Sequence, residues 1–233
     1  MRHPHGLRAA AGNQGIELPA IGAAFEGGFY AGLISHTANS IPTHALIVAP
    51  ANGGASGGGA QAEAYPLQEF YAYKVAQTFT PGADSTFDGE VNMAAILASS
   101  MRNHPAANFC FNLTLNGYSD WYLPARYELD IAFQNLKRDT RDNDTRSGIN
   151  PYSVPARTVN RTATGPPLQT TALNFRLGGG EEFLGPGFQY WTSTQNPTVA
   201  AGAWYLEMFN GFNGDNATKI YGAYTRAFRK VAL

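Results

Sequence analysis

The chain has 233 residues, a formal net charge of -1 and only 14% charged residues. This length can bury a substantial core, and the near-neutral charge argues against nucleic acid or a membrane as a partner, because both are bound through clustered Lys and Arg. The single cysteine, Cys110, excludes an internal disulfide, and its neighbours Phe109 and Phe111 predict a small buried hydrophobe without chemistry.

Residues 1–19 are rich in small and polar residues and lack periodicity, which predicts a flexible N-terminal arm that becomes ordered against a partner. The arm contains no apolar run of the length that a secretory signal requires. No stretch of the chain reaches the roughly 18 consecutive apolar residues of a membrane span. We therefore expect neither a secretion signal nor a membrane segment.

The elements that follow the arm are short and apolar. Runs separated by Gly between residues 21 and 49 predict a β-hairpin, with residues 29–30 and 46–48 in its strands. The Gly-rich segment 52–59 predicts a loop. Alternation within 65–80 predicts a strand with aromatic residues on both faces.

Three helices are predicted next. Asp88 is expected to cap a helix over 90–101, and further helices are predicted over 105–113 and 124–136. Pro124 is placed at the first helical position, where its missing N–H costs nothing. Four apolar residues of the third helix fall on one face: Leu129, Ala132, Phe133 and Leu136.

The remainder of the chain is predicted to be a long loop followed by strands. Residues 137–187 have little periodicity and many Asn, Asp, Thr, Pro and Gly, and loops of such length are usually functional or ordered by a partner. The closing strands are predicted at 188–194, 203–209, 218–221 and 224–231.

Four motifs stand out in the second half of the chain. They are Gly-Tyr-Ser-Asp-Trp-Tyr-Leu-Pro-Ala-Arg-Tyr-Glu-Leu at 117–129, Tyr-Trp-Thr-Ser-Thr at 190–194, Ala-Trp-Tyr-Leu at 203–206 and Arg-Ala-Phe-Arg at 226–229. In this order they resemble the Lcl C-terminal domain family, a branch of the C-type-lectin-like fold found in bacterial surface proteins and phage virions. The resemblance covers 105–233, and more weakly 27–32 and 46–50, which are similar to the phage members.

The resemblance implies an α+β, C-type-lectin-like domain of two helices and a twisted antiparallel sheet with long loops. It divides the chain into the arm 1–19, a β-rich extension with one helix over 20–104, and the lectin-like domain over 105–233. The motif residues are expected to be structural, with the tryptophans in the core and the arginines holding the termini together, Glu128 being one expected partner. These residues are Trp121, Leu123, Pro124, Arg126, Trp191, Trp204, Arg226 and Arg229.

The function implied is that of a non-enzymatic phage virion protein, at a tail fibre, tail tip or capsid-surface fibre, that displays the lectin-like domain for attachment to the host surface. The alternative is a capsid decoration (cement) or connector protein without a host ligand, and a third hypothesis is a bacterial adhesin-like protein. Expected partners are other virion proteins through the arm, and a host envelope glycan or protein. Self-association is expected, and a fibre would be a trimer.

No catalytic group, cofactor or metal is predicted. Asp139, Asp142, Asn143 and Asp144 could offer oxygen ligands to calcium, as could Asn213, Asp215 and Asn216, but EF-hand spacing and the calcium tripeptides of sugar-binding animal lectins are missing. No nucleophile elbow or metal-spaced histidine pair occurs. Glu181 and Glu182 follow three glycines and are expected to be solvated.

The candidate ligand-binding surface is the Asn- and Gly-rich turn 209–216 with neighbouring tyrosines, since loops on a rigid scaffold carry recognition. Two phenylalanines in such a turn indicate packing against a ligand or, equally, an inward-facing Phe209 at an ordinary hairpin tip. A surface of uncharged polar and aromatic side chains suits sugars or proteins, and is also typical of a solvated β-protein. The predicted ligand-binding residues are Tyr205, Asn210, Phe212, Asn213, Asp215, Asn216, Tyr221 and Tyr224.

Overall fold

A computed structural model describes residues 16–56, 71–184 and 189–233 and shows a mixed fold of helices and antiparallel sheets. Predictions that fall on residues 1–15, 57–70 and 185–188 lie outside the described residues. These include most of the N-terminal arm, part of the Gly-rich segment and the first part of the strand predicted at 65–80.

The predicted hairpin is confirmed, and it belongs to a four-stranded sheet. Strands β1 (Ala24–Phe25), β2 (Gly28–Ile34) and β3 (His44–Val48) are antiparallel neighbours in that order. The last strand of the chain, Phe228–Ala232, pairs with β3. Strands from both ends of the described chain therefore share one sheet.

Three short elements follow the hairpin: a single turn α1 (Ala51–Gly54), then β4 (Ala55–Ser56) and β5 (Tyr71–Ala72). The strand predicted over 65–80 is wrong for 73–80, which form bends. The Lys74 ammonium donates to the carbonyl of Phe79 at 2.8 Å and closes this segment into a loop.

The three predicted helices are confirmed as α2 (Gly89–Ser100), α3 (Pro105–Phe111) and α4 (Arg126–Leu136), with a 3-10 turn Met101–Asn103 between the first two. Asp88 caps α2 as predicted, since its Oδ1 accepts from the N–H groups of Glu90 and Val91 at 3.1 and 3.2 Å. Each helix thus begins close to the residue that the sequence indicated.

The start of α4 differs from the prediction. Pro124 is not its first residue, because Ala125 holds the N-cap position with extended backbone. The carboxylate of Glu128 returns to accept from the Ala125 N–H at 2.7 Å, and it also accepts from the Tyr122 hydroxyl at 2.9 Å. Burial raises the pKa of Glu128 to about 8. Glu128 therefore belongs to the interior, and its expected pairing with the motif arginines is wrong.

A long loop was predicted over 137–187, and the structure describes residues 137–184 of it. These residues contain no helix or strand apart from a 3-10 turn at Leu173–Phe175, which confirms the prediction for this part. Three further strands follow: β6 (Gln189–Gln195), β7 (Gly202–Glu207) and β8 (Asn213–Thr218). They form an antiparallel sheet in this order, so β8 is an edge strand.

The third closing strand was predicted at 218–221, but in the structure it is β8, which spans Asn213–Thr218. Because β8 has the sequence Asn-Gly-Asp-Asn-Ala-Thr, it has no apolar alternation to reveal it. The chain ends with β9 (Gly222–Ala223), β10 (Thr225–Arg226) and β11 (Phe228–Ala232), which pair with β5, β4 and β3.

One apolar core lies between the sheets and helices, and it includes Trp121, Trp191 and the predicted face of α4. Cys110 is fully buried, as predicted. Trp204 is only half-buried, so its assignment to the core is wrong. None of the helices in the described part of the chain is long and apolar enough to cross a bilayer.

The closing arginines join distant segments, but not through the expected partner. Arg226 donates from Nε to the Ala49 carbonyl at 2.6 Å and from Nη2 to Glu181 at 2.7 Å. Arg229 donates from Nη2 to Asp120 at 2.8 Å. Glu181 and Glu182 are therefore not solvated: the first pairs with Arg226, and the second lies buried 3.2 Å from an arginine of the long loop.

Candidate functional site

A cleft of about 390 Å³ lies over the edge strand β8. Its lining combines aromatic rings with amide, hydroxyl and carboxylate groups. Most of the predicted ligand-binding residues meet there: Tyr205, Phe212, Asp215, Asn216 and Tyr221.

The floor of the cleft is built by strand register. Tyr205 on β7 is the register partner of Trp191 on β6 and of Gly214 on β8. A Cβ atom at position 214 would lie 2.3 Å from the Tyr205 ring, so only glycine lets the ring pack against this strand. The indole N–H of Trp191 donates to the Tyr71 carbonyl at 2.8 Å and fixes the second ring.

One wall of the cleft is Phe212, which packs edge-on against Tyr205 with ring centroids 6.0 Å apart. The guanidinium of Arg146 lies 4.6 Å from the Phe212 centroid and pairs with Asp144 at 2.7 Å. Phe212 is thus half-buried. It contacts the Tyr205 ring and the Arg146–Asp144 ion pair of the long loop. Its ring supports the cleft and leaves only part of its surface for a ligand.

Tyr221 is the most ligand-accessible aromatic of the cleft, with 68% of its surface exposed. Its N–H donates to the Thr218 carbonyl at 3.0 Å, so a turn after β8 presents the ring at the rim. An aromatic ring left in water at the mouth of a cleft is free to stack against a flat apolar face.

The Tyr205 hydroxyl stays protonated at neutral pH. Burial raises the pKa of Tyr205, and the negative charges of Glu207 and Asp215 raise it further. A protonated phenol both donates and accepts hydrogen bonds. Together with Asp215, Asn216 and Thr218, it gives the cleft several polar groups beside its aromatic rings.

Three predicted binding residues do not line the cleft. Asn210 accepts the Phe212 N–H at 2.8 Å and so shapes the turn. Asn213 donates to the buried carboxylate of Asp130 at 3.3 Å. Tyr224 is buried, with its ring centroid 5.4 Å from that of Tyr190, so its assignment to a binding surface is wrong.

Part of the cleft lining differs from the prediction. Residues 213–216 were predicted to lie in a turn and belong to β8, and Trp191, predicted to be a core residue, also lines the cleft. Further lining residues outside the predicted turn come from β6, from the end of β8 and from the start of β9: Gln189, Ala217, Thr218 and Gly222.

The acidic part of the long loop is internally paired. Asp139 lies 3.4 Å from Arg138 and 3.6 Å from Arg141, and Asn143 accepts from the Lys137 ammonium at 2.8 Å. Within residues 16–56, 71–184 and 189–233, no group of three or more His, Cys, Asp or Glu side chains is arranged to hold a metal ion.

Comparisons with known protein families and with curated proteins found no match for this chain. Among its described lining residues Asp215 is the single carboxylate, and the rest offer aromatic surface and neutral hydrogen-bonding groups. This set can stack and hydrogen-bond a ligand, which is the behaviour of a binding site.

Proposed function

We propose that this protein is a non-enzymatic attachment protein of a phage virion and that the cleft over β8 binds a glycan of the host surface. The observation that carries the proposal is the exposed Tyr221 ring beside Tyr205, with amide and hydroxyl groups around both. Sugar rings offer C–H faces that pack on aromatic rings, and hydroxyls that pair with neutral polar side chains. Stacking and hydrogen bonding of this kind do not require clustered charged side chains on the protein, which fits the low fraction of charged residues in the chain.

We further propose that the fold is C-type-lectin-like and of the Lcl type. Its support is the resemblance of the four motifs, which lie at 117–129 before and within α4, in β6, in β7 and across β10 and β11. The virion location, at a tail fibre, tail tip or capsid-surface fibre, rests on that resemblance. The N-terminal arm would join other virion proteins, and a trimer would suit a fibre.

A matched pair of variants tests the cleft. Tyr221→Ala should weaken binding of purified protein to extracted host-type envelope polysaccharide by about tenfold, because the rim ring is lost. Phe111→Ala, which removes another exposed aromatic ring, at 48% exposure on α3, should bind like the wild type. Labelled protein titrated with the polysaccharide gives both values, and equal binding by the two variants would sink the proposal.

A specific observation favours decoration as the second candidate function. Five aliphatic side chains in the described part of the long loop are exposed, and exposed apolar side chains mark a protein contact surface where they are contiguous. They are Ile149 at 47%, Val159 at 73%, Leu168 at 68%, Leu173 at 71% and Leu177 at 58%. Well-folded wild-type protein that binds neither envelope polysaccharide nor whole bacteria would favour a capsid decoration or connector role, with this loop against neighbouring subunits.

A further inference from the structure

Two histidines lie together at the end of the hairpin formed by β2 and β3. His36 follows β2 and His44 begins β3, and their ring centroids are 4.4 Å apart. The His36 ring also packs edge-on against Phe87, with ring centroids 5.4 Å apart. Because Phe87 directly precedes the cap of α2, the histidine pair lies where the hairpin meets the start of that helix.

The turn that joins the two strands has a strained backbone. Ala38 and Ser40 are exposed and have φ of +52° and +63°, a region that residues other than glycine rarely adopt. Such strain persists only where surrounding contacts hold the backbone in place. Here the His36 N–H donates to the Thr43 hydroxyl at 3.1 Å, and the Thr43 N–H donates to the Ile34 carbonyl at 2.9 Å. The turn is therefore an element that can open locally when these contacts weaken.

The charges that face the histidine pair come from the start of α2 and from β11. Asp88 Oδ2 lies 3.5 Å from His36 Nδ1, but Asp88 Oδ1 already accepts from the Lys230 ammonium at 2.7 Å. Lys230 also lies 3.2 Å from Glu90, whose side chain is 52% exposed and is screened by water. Glu128 is the remaining carboxyl near Lys230, and burial raises its pKa to about 8, so it is mostly neutral at pH 7.

A protonated His36 is poorly accommodated in this cluster. Its Nε2 is buried and has no hydrogen-bond partner in the described part of the chain, and a buried charged N–H without an acceptor is costly. A second positive charge would also lie beside the Lys230 ammonium. Burial, followed by the Lys230 charge, lowers the pKa of His36 to about 4, and burial lowers the pKa of His44 as well.

We propose that the His36–His44 pair is a pH-sensitive switch that keeps the end of the hairpin closed at neutral pH and lets it open in mildly acidic solution. An opened turn places both rings in water, where a histidine has a pKa of about 6.5. The open form therefore binds protons more readily than the closed form, and the closed form loses stability as the pH falls from about 6.5 towards 4. The switch lies outside the β8 cleft and does not depend on glycan binding.

Opening has a structural consequence beyond the turn. The Phe87 ring, which His36 covers on one side, stacks on Tyr152 of the long loop with centroids 4.2 Å apart. Withdrawal of His36 would expose this aromatic pair to solvent. Acid would thus uncover an apolar surface between the hairpin and the long loop, where a partner could bind.

Hydrogen exchange followed by NMR on the full chain tests the switch. After correction for the intrinsic exchange rate, protection of the Thr43 N–H should fall about tenfold between pH 6.5 and pH 5. The Phe228 N–H donates to the Tyr122 carbonyl at 2.9 Å inside the core, and its protection should stay constant as an internal control. In His36→Gln, which cannot take up the proton, protection of the Thr43 N–H should no longer depend on pH over this range.

NMR titration of the histidine rings gives a second measurement. Lys230→Gln should raise the pKa of His36 and Asp88→Asn should lower it, whereas a purely structural role predicts no such opposite shifts. Constant Thr43 protection in the wild type, or an equal fall in folded His36→Gln, would overturn the switch. If His36→Gln does not fold, the wild type still decides: the switch requires both a His36 ring that titrates below pH 6 and a loss of Thr43 protection over the same range, and the absence of either contradicts it.

Discussion

Replacing Asp130 with alanine should lower the free energy of unfolding by about 3–5 kcal/mol. Asp130 is fully buried on α4 and pairs with both Arg157 and Arg161. It also accepts from the amides of Asn150 at 3.0 Å and Asn213 at 3.3 Å. Its removal would leave two desolvated guanidinium groups without their shared carboxylate.

This network connects α4 to the candidate site. Arg161 also donates to the Gly211 carbonyl at 2.9 Å, and Asn213 begins β8. Losing Asp130 should therefore loosen both the long loop and the strand under the cleft. Denaturant unfolding measures the effect, with Asp142→Ala as control because Asp142 is exposed on the same loop and surface changes stay within about 0.5 kcal/mol. Identical unfolding midpoints for the two variants would contradict the network's importance.

Gly211→Ala should cost about 3 kcal/mol, the sum of a strained backbone and a steric clash. Gly211 has φ of +79°, a region that L residues avoid, and a Cβ there would lie 2.3 Å from a ring carbon of Phe133. Phe133 is fully buried on α4 and cannot easily move. The turn between β7 and β8 would have to shift, and the wall of the cleft with it.

Gly117→Ala separates the two causes. Gly117 has a similar φ of +84°, but a Cβ there would meet nothing within 4 Å. This control should lose only about 1 kcal/mol from the backbone. Thermal and denaturant unfolding of both variants give the comparison, and a Gly211→Ala protein no less stable than Gly117→Ala would show that Phe133 does not constrain the turn.

Local patterns were sufficient for the helices. Asp88 caps α2 where the sequence indicated, and the apolar face of α4 from Leu129 to Leu136 is buried. Both signals act within a few residues along the chain, so sequence alone contains them. The hairpin of β2 and β3 was found for the same reason.

Long-range pairing was not visible in the sequence. The partner of Arg226 is Glu181, which a local pattern cannot connect to it, and β8 has no apolar alternation. Trp204 belongs to a motif of apparent core residues, yet Arg126 covers its ring at a half-buried position. Such contacts depend on the register between segments that the fold brings together.

In the candidate site, too, residues marked by a local pattern were predicted and residues placed by long-range strand pairing were not. Tyr205, Phe212 and Tyr221 were found because aromatic residues in a Gly- and Asn-rich region are conspicuous. Tyr224 was misplaced because the sequence does not say on which side of the sheet a tyrosine lies. Gln189 and Thr218 join the cleft only through the β6–β7–β8 order.

The most direct test of glycan binding by the β8 cleft is a map of backbone amide NMR shifts during titration with oligosaccharides released from host-type envelope polysaccharide. We expect saturable shifts concentrated at Tyr205, in β8 and in the turn at Tyr221, with α2 unaffected. Shifts centred on α3 or on the long loop would place the contact elsewhere. The absence of any shift at saturating oligosaccharide would contradict a glycan-binding role for the cleft.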